Sequence, residues 1–196
     1  MSTSAWPRDR AWDLMVSWTP SSALRAHMRA VELAMRYLAP RYQADPEWWG
    51  AVGLLHDFDY ERFPNADRAA DREHPSEGVR YLRDNGFADE GCDAILGHAA
   101  YTGVPRTTDL ARVLFAVDEL CGFVVACALV RPSRSLADLE PRSVLKKLKD
   151  KAFARGVSRD DVRVGAEELG VPLDTLVADV IAALRPHESD LGLGGV

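Results

Sequence analysis

Ala51-Val52-Gly53-Leu54-Leu55-His56-Asp57-Phe58-Asp59-Tyr60 is an apolar run that delivers a histidine and an aspartate side by side, then breaks into acidic and aromatic residues. Two adjacent polar groups at the end of a core segment cost free energy unless something pairs with them. A metal ion is the simplest partner, because it takes a neutral imidazole and a carboxylate together. Further ligands then have to come from other segments.

Those segments read as helices. Asp45 as cap and Pro46 as first residue open the helix that carries Trp48, Val52 and Leu55 to His56-Asp57. Upstream, a helix is expected from about Arg8 to Ser17, stopped by Thr19-Pro20. Ser21 or Ser22 caps a second, in which Leu24, His27, Met28, Val31, Ala34, Met35 and Leu38 recur at helical spacing. Downstream, Asp59 to Arg72 has Pro64 and no apolar period, and is expected to be a loop.

His74-Pro75 opens a helix closed by Asn85-Gly86, and Asp89 caps the next, which runs to His98. After the loop Tyr101 to Thr107, the longest helix spans about Thr108 to Leu129 with Asp118 embedded in its apolar stripe. A basic helix from about Arg142 to Phe153 follows. Ser158 and Asp161 resemble a capping box, and Pro172 to Leu184 is a last amphipathic helix. No stretch alternates at period two, so the fold class is all-α. The expected organisation is a flexible tail at 1–7, a single helical domain at 8–185 and a disordered tail at 186–196.

Composition narrows the class. At 196 residues the chain is long enough to bury roughly 70% of its unfolded surface, so it needs no disulfides. A net charge of −6 argues against wrapping a nucleic acid polymer, and no membrane association is expected. Cys92, Cys121 and Cys127 have no metal-type spacing and read as reduced core residues. The amino terminus lacks an apolar signal-peptide core, and Val113 to Val130 carries Asp118 and Glu119, so a cytoplasmic location is expected.

Four histidines, His27, His56, His74 and His98, fall on or at the ends of expected helices; His187 lies in the tail. Taken singly, a histidine on an apolar face is more often a hydrogen-bonded core residue than a ligand, and His74 before proline can simply open a helix. Asp118 is stronger, since a carboxylate on an apolar stripe must be paired, protonated or metal-bound. With Asp57 they make six candidate ligands from five helical segments, the way a helical bundle builds a metal site.

The order His…His-Asp…His…His…Asp resembles the HD-domain superfamily of metal-dependent phosphohydrolases. The flanking text is similar too: Leu54-Leu55-His56-Asp57, His74-Pro75-Ser76-Glu77-Gly78, Ile95-Leu96-Gly97-His98 and Val117-Asp118-Glu119-Leu120. The resemblance covers a core of about residues 22–130, with basic and C-terminal helices at 131–185 that look like what bacterial HDIG-type proteins carry. It implies an HD-type helical bundle in which His27, His56, Asp57 and Asp118 hold one metal. His74, His98 and a bridging Asp57 would hold a second. Phe58, Asp59 and Tyr60 replace the Gly-Lys that some relatives place after His-Asp, and the Gly-Tyr-Pro signature of cyclic-dinucleotide phosphodiesterases is absent.

The expected activity is therefore hydrolysis of a small phosphoester, such as a nucleotide, by a metal-activated water at a binuclear site. Two alternatives stay open: a mixed-valent di-iron oxygenase of the same superfamily, and a non-catalytic nucleotide-sensing module. Mn, Fe or Co suits mixed imidazole and carboxylate donors, with Mg and Ni also admissible. Asp57, His56 and Asp59 are the candidate catalytic residues; Asp59 and Glu61 can orient water or substrate, although a supporting role outside the reacting centre is the commoner one for such residues. Arg106, Arg131, Lys146, Lys149 and Lys151 are the candidate cations for the substrate, all four lysines lying between Lys146 and Lys151. A solvated basic face is the plainer reading of that cluster.

Overall fold

The computed structural model describes residues 6–194, and the expectations for residues 1–5 and 195–196 lie outside the described residues. Nine α-helices and no strand occur among them: α1 (Arg8–Trp18), α2 (Ser22–Leu38), α3 (Pro46–Leu55), α4 (Ser76–Asp84), α5 (Asp89–His98), α6 (Asp109–Leu129), α7 (Pro141–Leu148), α8 (Arg159–Leu169) and α9 (Leu173–Leu184). The all-α helical bundle is as the periodicity indicates. No helix among the described residues is long and apolar enough to cross a membrane.

Capping chemistry sets several of the starts. The Ser21 side chain accepts the Leu24 N–H at 3.2 Å, and the Thr108 side chain accepts the Ala111 N–H at 3.2 Å. Asp45 accepts the Glu47 N–H at 2.9 Å. Each satisfies a first-turn donor that would otherwise be orphaned. At α5 the cap position falls on Ala88, and Asp89 is instead the first helical residue.

Helix α6 is the axis of the bundle, with α2, α5 and α8 packed on it and α3 on α2. Contact between α2 and α3 is close because of Gly53: a Cβ there would lie 2.9 Å from Met35 Cγ and 3.1 Å from the Glu32 backbone nitrogen. This near approach brings His56, one turn beyond Gly53, toward His27. Glu32 is fully buried on α2 and is neutralised by Arg8 at 2.6 Å and Arg29 at 2.8 Å, which ties α1 to α2.

One hydrophobic core runs from Trp6 to Leu193, and this corrects both expected tails. Trp6 is buried edge-on against Phe87, so the tail at 1–7 does not extend to it. Residues 185–191 form a 3₁₀ helix rather than a disordered tail, with Leu191 and Leu193 buried and the Glu188 carboxylate accepting from Ser135 Oγ and the Leu136 N–H. The Gly-rich text concealed two leucines spaced to reach the core. The basic helix is shorter than expected, ending at Leu148, with turns from Lys149 onward. All three cysteines are buried and free, and burial pushes the Cys92 and Cys127 thiols up to about 11.

Candidate metal centre

Helix α3 is buried from Trp48 to its end at Leu55, so the chain turns with His56 still in the core. Beyond it the side chains part company. Asp57 and Tyr60 face a cavity of about 800 Å³, whereas Phe58 turns inward onto Trp18. Thr19 Oγ1 donates to the Phe58 carbonyl at 3.1 Å and fixes this turn.

Six side chains meet at the floor of that cavity: His27 from α2, His56 and Asp57 after α3, His74 before α4, His98 from the end of α5 and Asp118 from α6. Asp57 stands between two imidazole pairs. Its Oδ2 lies 3.4 Å from His56 Nε2 and 3.8 Å from His27 Nε2, while its Oδ1 lies 3.2 Å from His74 Nε2 and 3.4 Å from His98 Nε2. Asp118 Oδ1 adds contacts of 2.9 Å to His27 and 3.3 Å to His56. Two groups, His27–His56–Asp57 and Asp57–His74–His98, are each compact enough to hold a metal ion.

The donor chemistry fits a cation. The Nδ1 atoms of His56 and His98 face the carbonyls of Gly53 (2.8 Å) and Ile95 (2.5 Å), which only accept, so both Nδ1 atoms carry protons. Their Nε2 atoms are thereby turned toward the carboxylates, where a cation between them would take the lone pairs. His74 Nδ1 faces Asp59 Oδ1 at 2.6 Å and is set the same way. His56 Nε2 is buried with no hydrogen-bond partner among the described residues, and such an atom costs about 1–3 kcal/mol unless something binds it. With no cation between them, the groups share charge. Burial opposes ionisation of both, yet the surrounding imidazoles, His56 foremost, hold Asp57 well below the usual carboxylate range. Against the same burial, Asp57 and Asp59 lift His74 to about 9.

Asp59, a candidate catalytic residue from the sequence, is placed behind His74 rather than on the cavity wall. It is buried, lies outside the cavity, and spends its second oxygen on the Gly78 N–H at 2.7 Å. It holds His74 in one tautomer and is not free to orient water. Asp59→Ala is expected to weaken metal binding roughly 10–100-fold while leaving the helices intact. Chelator competition alongside circular dichroism measures both, and unchanged affinity would discard the role. Glu61 is likewise remote, accepting the Ser21 N–H at 3.0 Å.

The expected substrate cations are also displaced. Arg106 is bound to Glu168 and to the Gly97 carbonyl at 2.9 Å, bracing α8 against α5. Arg131 pairs with Asp138 at 2.7 Å. Lys146, Lys149 and Lys151 are exposed on and after α7, and none of the five lines the cavity. Sequence proximity to His98 or clustering of lysines does not determine which way a helix face points. Tyr101 lines the cavity, with its hydroxyl donating to the His74 carbonyl, whereas Thr102 turns back to the Leu96 carbonyl at 2.8 Å.

Three cavity residues escaped sequence reasoning. Arg68 was lost among three arginines of a loop without periodicity. Glu119 and Asp161 stood in recognised motifs, but in roles the motif did not describe. The Ser158 side chain accepts the Asp161 N–H at 3.2 Å, as a capping box requires. The reciprocal contact is made by Glu119 instead, which accepts the Ser158 N–H at 3.1 Å and leaves the Asp161 carboxylate to the cavity wall. Burial and the neighbouring Asp118 push the Glu119 carboxyl up to about 7.

Comparison with curated proteins and with solved structures gives no match. Residues 24–122 match the HD domain family, as a whole rather than in any one branch, so the HDIG-type likeness is carried no further. The matched span begins just before His27 and ends just after Asp118, and thus contains every one of the converging imidazoles and carboxylates. On that match the chain belongs to the HD domain family, which is typical of metal-dependent hydrolases.

Proposed function

We propose that this protein is a phosphohydrolase that cleaves a small phosphomonoester with two divalent ions, His27, His56, Asp57 and Asp118 holding one and Asp57, His74 and His98 the other. The observation that carries the reading is the split of Asp57, one oxygen toward each imidazole pair. Mn, Fe or Co is the ion class that suits four imidazoles and two carboxylates. When bound, such ions polarise a phosphoryl oxygen and supply a nucleophile from water at neutral pH.

The chain's own residues have narrower tasks. Asp59 and the Gly53 and Ile95 carbonyls keep the imidazole tautomers in place, so no reorganisation is needed when an ion enters. In the reaction water adds to phosphorus, the bond from phosphorus to the ester oxygen breaks, and the leaving oxygen takes up a proton. The carboxylates of Glu119 and Asp161 on the cavity wall disfavour a polyanionic tail, and this favours a monoester over a nucleoside polyphosphate. Protein loaded with Mn, Fe or Co is expected to contain about two ions per chain and, across a panel of monoesters, cyclic nucleotides and dinucleotides, to release phosphate from some of the monoesters. Inactivity of fully metallated protein across that panel would sink the reading.

The same acidic wall favours a second reading, a di-iron oxygenase acting on a substrate of low negative charge. An S = 1/2 iron signal after partial reduction, together with substrate-dependent oxygen uptake, would establish it. Full hydrolytic rate under anaerobic conditions would remove it.

A further inference from the structure

The loop between His56-Asp57 and His74 carries three arginines, and their fates differ. Arg62 donates to the Ser17 carbonyl at 3.1 Å and lies over the Trp18 ring. Arg72 is paired with Asp67 at 3.5 Å and Asp71 at 3.7 Å. Arg68 lines the metal cavity, and among the described residues its guanidinium has no hydrogen bond or ion pair. It is also the one arginine or lysine on the cavity wall among the described residues.

Its position is built. Arg68 has a φ of 52°, in the left-handed region that a β-carbon disfavours. The conformation is held from both sides: the Glu73 carboxylate accepts the Asp67 N–H at 3.1 Å and the Ala69 N–H at 2.8 Å, and the Arg68 N–H donates to the Asn65 carbonyl at 3.2 Å. Asn65 Nδ2 in turn donates to the Tyr101 hydroxyl at 3.2 Å, and Tyr101 donates to the His74 carbonyl, so the loop is tied to the metal-binding shell. Arg68 is exposed on the open side of the cavity, and what sets it apart from Arg62 and Arg72 is a left-handed backbone braced by one carboxylate that presents to the cavity a guanidinium with no partner among the described residues.

We propose that Arg68 is the specificity-determining residue that receives the anionic group of the substrate, with its planar fork matching two oxygens of a phosphoryl group. The inference rests on the phosphohydrolase reading for its choice of phosphoryl. With a single cation on the wall and Glu119 and Asp161 also lining it, the cavity takes a substrate with one such group and a neutral or cationic remainder.

The test is calorimetric titration of inorganic phosphate into the Mn-loaded full chain. Arg68→Ala is expected to weaken binding about tenfold or more, with Mn content unchanged, and Arg68→Lys to recover only part of it. Arg142→Ala, an exposed arginine on α7 outside the cavity, is expected to bind as the parent does. Parental affinity in Arg68→Ala, or an equal loss in Arg142→Ala, overturns the proposal. The readout is independent of turnover. Phosphate binding that depends on Arg68 in a protein that hydrolyses no phosphoester keeps the inference and removes the hydrolase reading. Phosphoester hydrolysis with phosphate binding indifferent to Arg68 does the reverse.

Discussion

Asp57→Ala is expected to empty both halves of the metal centre at once and to lower turnover on the order of 10³-fold or more. Each oxygen of Asp57 faces a different imidazole pair, at 3.4 Å from His56 on one side and 3.2 Å from His74 on the other. Its removal withdraws the one carboxylate oxygen that, among the described residues, lies near His74 Nε2 and His98 Nε2, because Asp118 reaches toward His27 and His56. The four imidazoles left behind would then face the remaining cation charge with one carboxylate to neutralise it. By contrast, His98→Ala takes a ligand from one side only, and metal content is expected to fall from about two ions to about one. Elemental analysis of freshly purified variants separates these outcomes. If Asp57→Ala retains one tightly held ion, the bridging role is wrong; if His98→Ala loses both, the two sites are not separable. Asp57→Asn is the informative companion, since it keeps the shape of the side chain and removes the charge that draws cations in.

How much of this centre was legible in the sequence depends on what each residue needed in order to be recognised. His56-Asp57 was visible because polar groups at the end of a buried run violate hydrophobic patterning, and Asp118 was visible for the same reason. His27, His74 and His98 became a set through their order along the chain, and the structure brings them to one point. What patterning could not show was direction off the pattern. In the turn after α3 successive side chains diverge, so Asp57 and Tyr60 reach the cavity while Asp59 goes behind His74. A charge count likewise sees five basic residues crowded between Arg142 and Lys151 but not that none of them lines the cavity. Arg68 owes its place to a left-handed backbone held by Glu73, five residues downstream, and nothing local marks it out from Arg62 or Arg72.

The fold's own limits show best at Gly165, which was unremarkable within an amphipathic helix. A Cβ there would lie 2.5 Å from Ala116 Cα and 2.9 Å from Ala116 Cβ, so α8 rests directly on the backbone of α6. Backbone cannot rotate away as a long side chain can, and Gly165→Val is expected to cost about 3 kcal/mol. For a chain of this size that lowers Tm by roughly 6–12 °C. The site would feel the same displacement, because α8 carries Ser158 and Asp161 at its start and the Ser158 N–H is bound to Glu119 on α6. Two comparisons isolate the cause. Gly122→Ala, also on α6, meets nothing nearer than His27 Nδ1 at 3.7 Å, and is expected to be neutral or to gain up to about 1 kcal/mol of helix propensity. Ala116→Gly should rescue Gly165→Ala only in part, since it clears the 2.9 Å contact with Cβ and leaves the 2.5 Å contact with Cα. Thermal unfolding of the two single variants and the double variant gives the coupling energy directly. An undiminished Tm in Gly165→Val would mean that α8 can ride outward freely. The acidic wall of the cavity would then be adjustable rather than fixed, and the preference against polyanionic substrates would weaken with it.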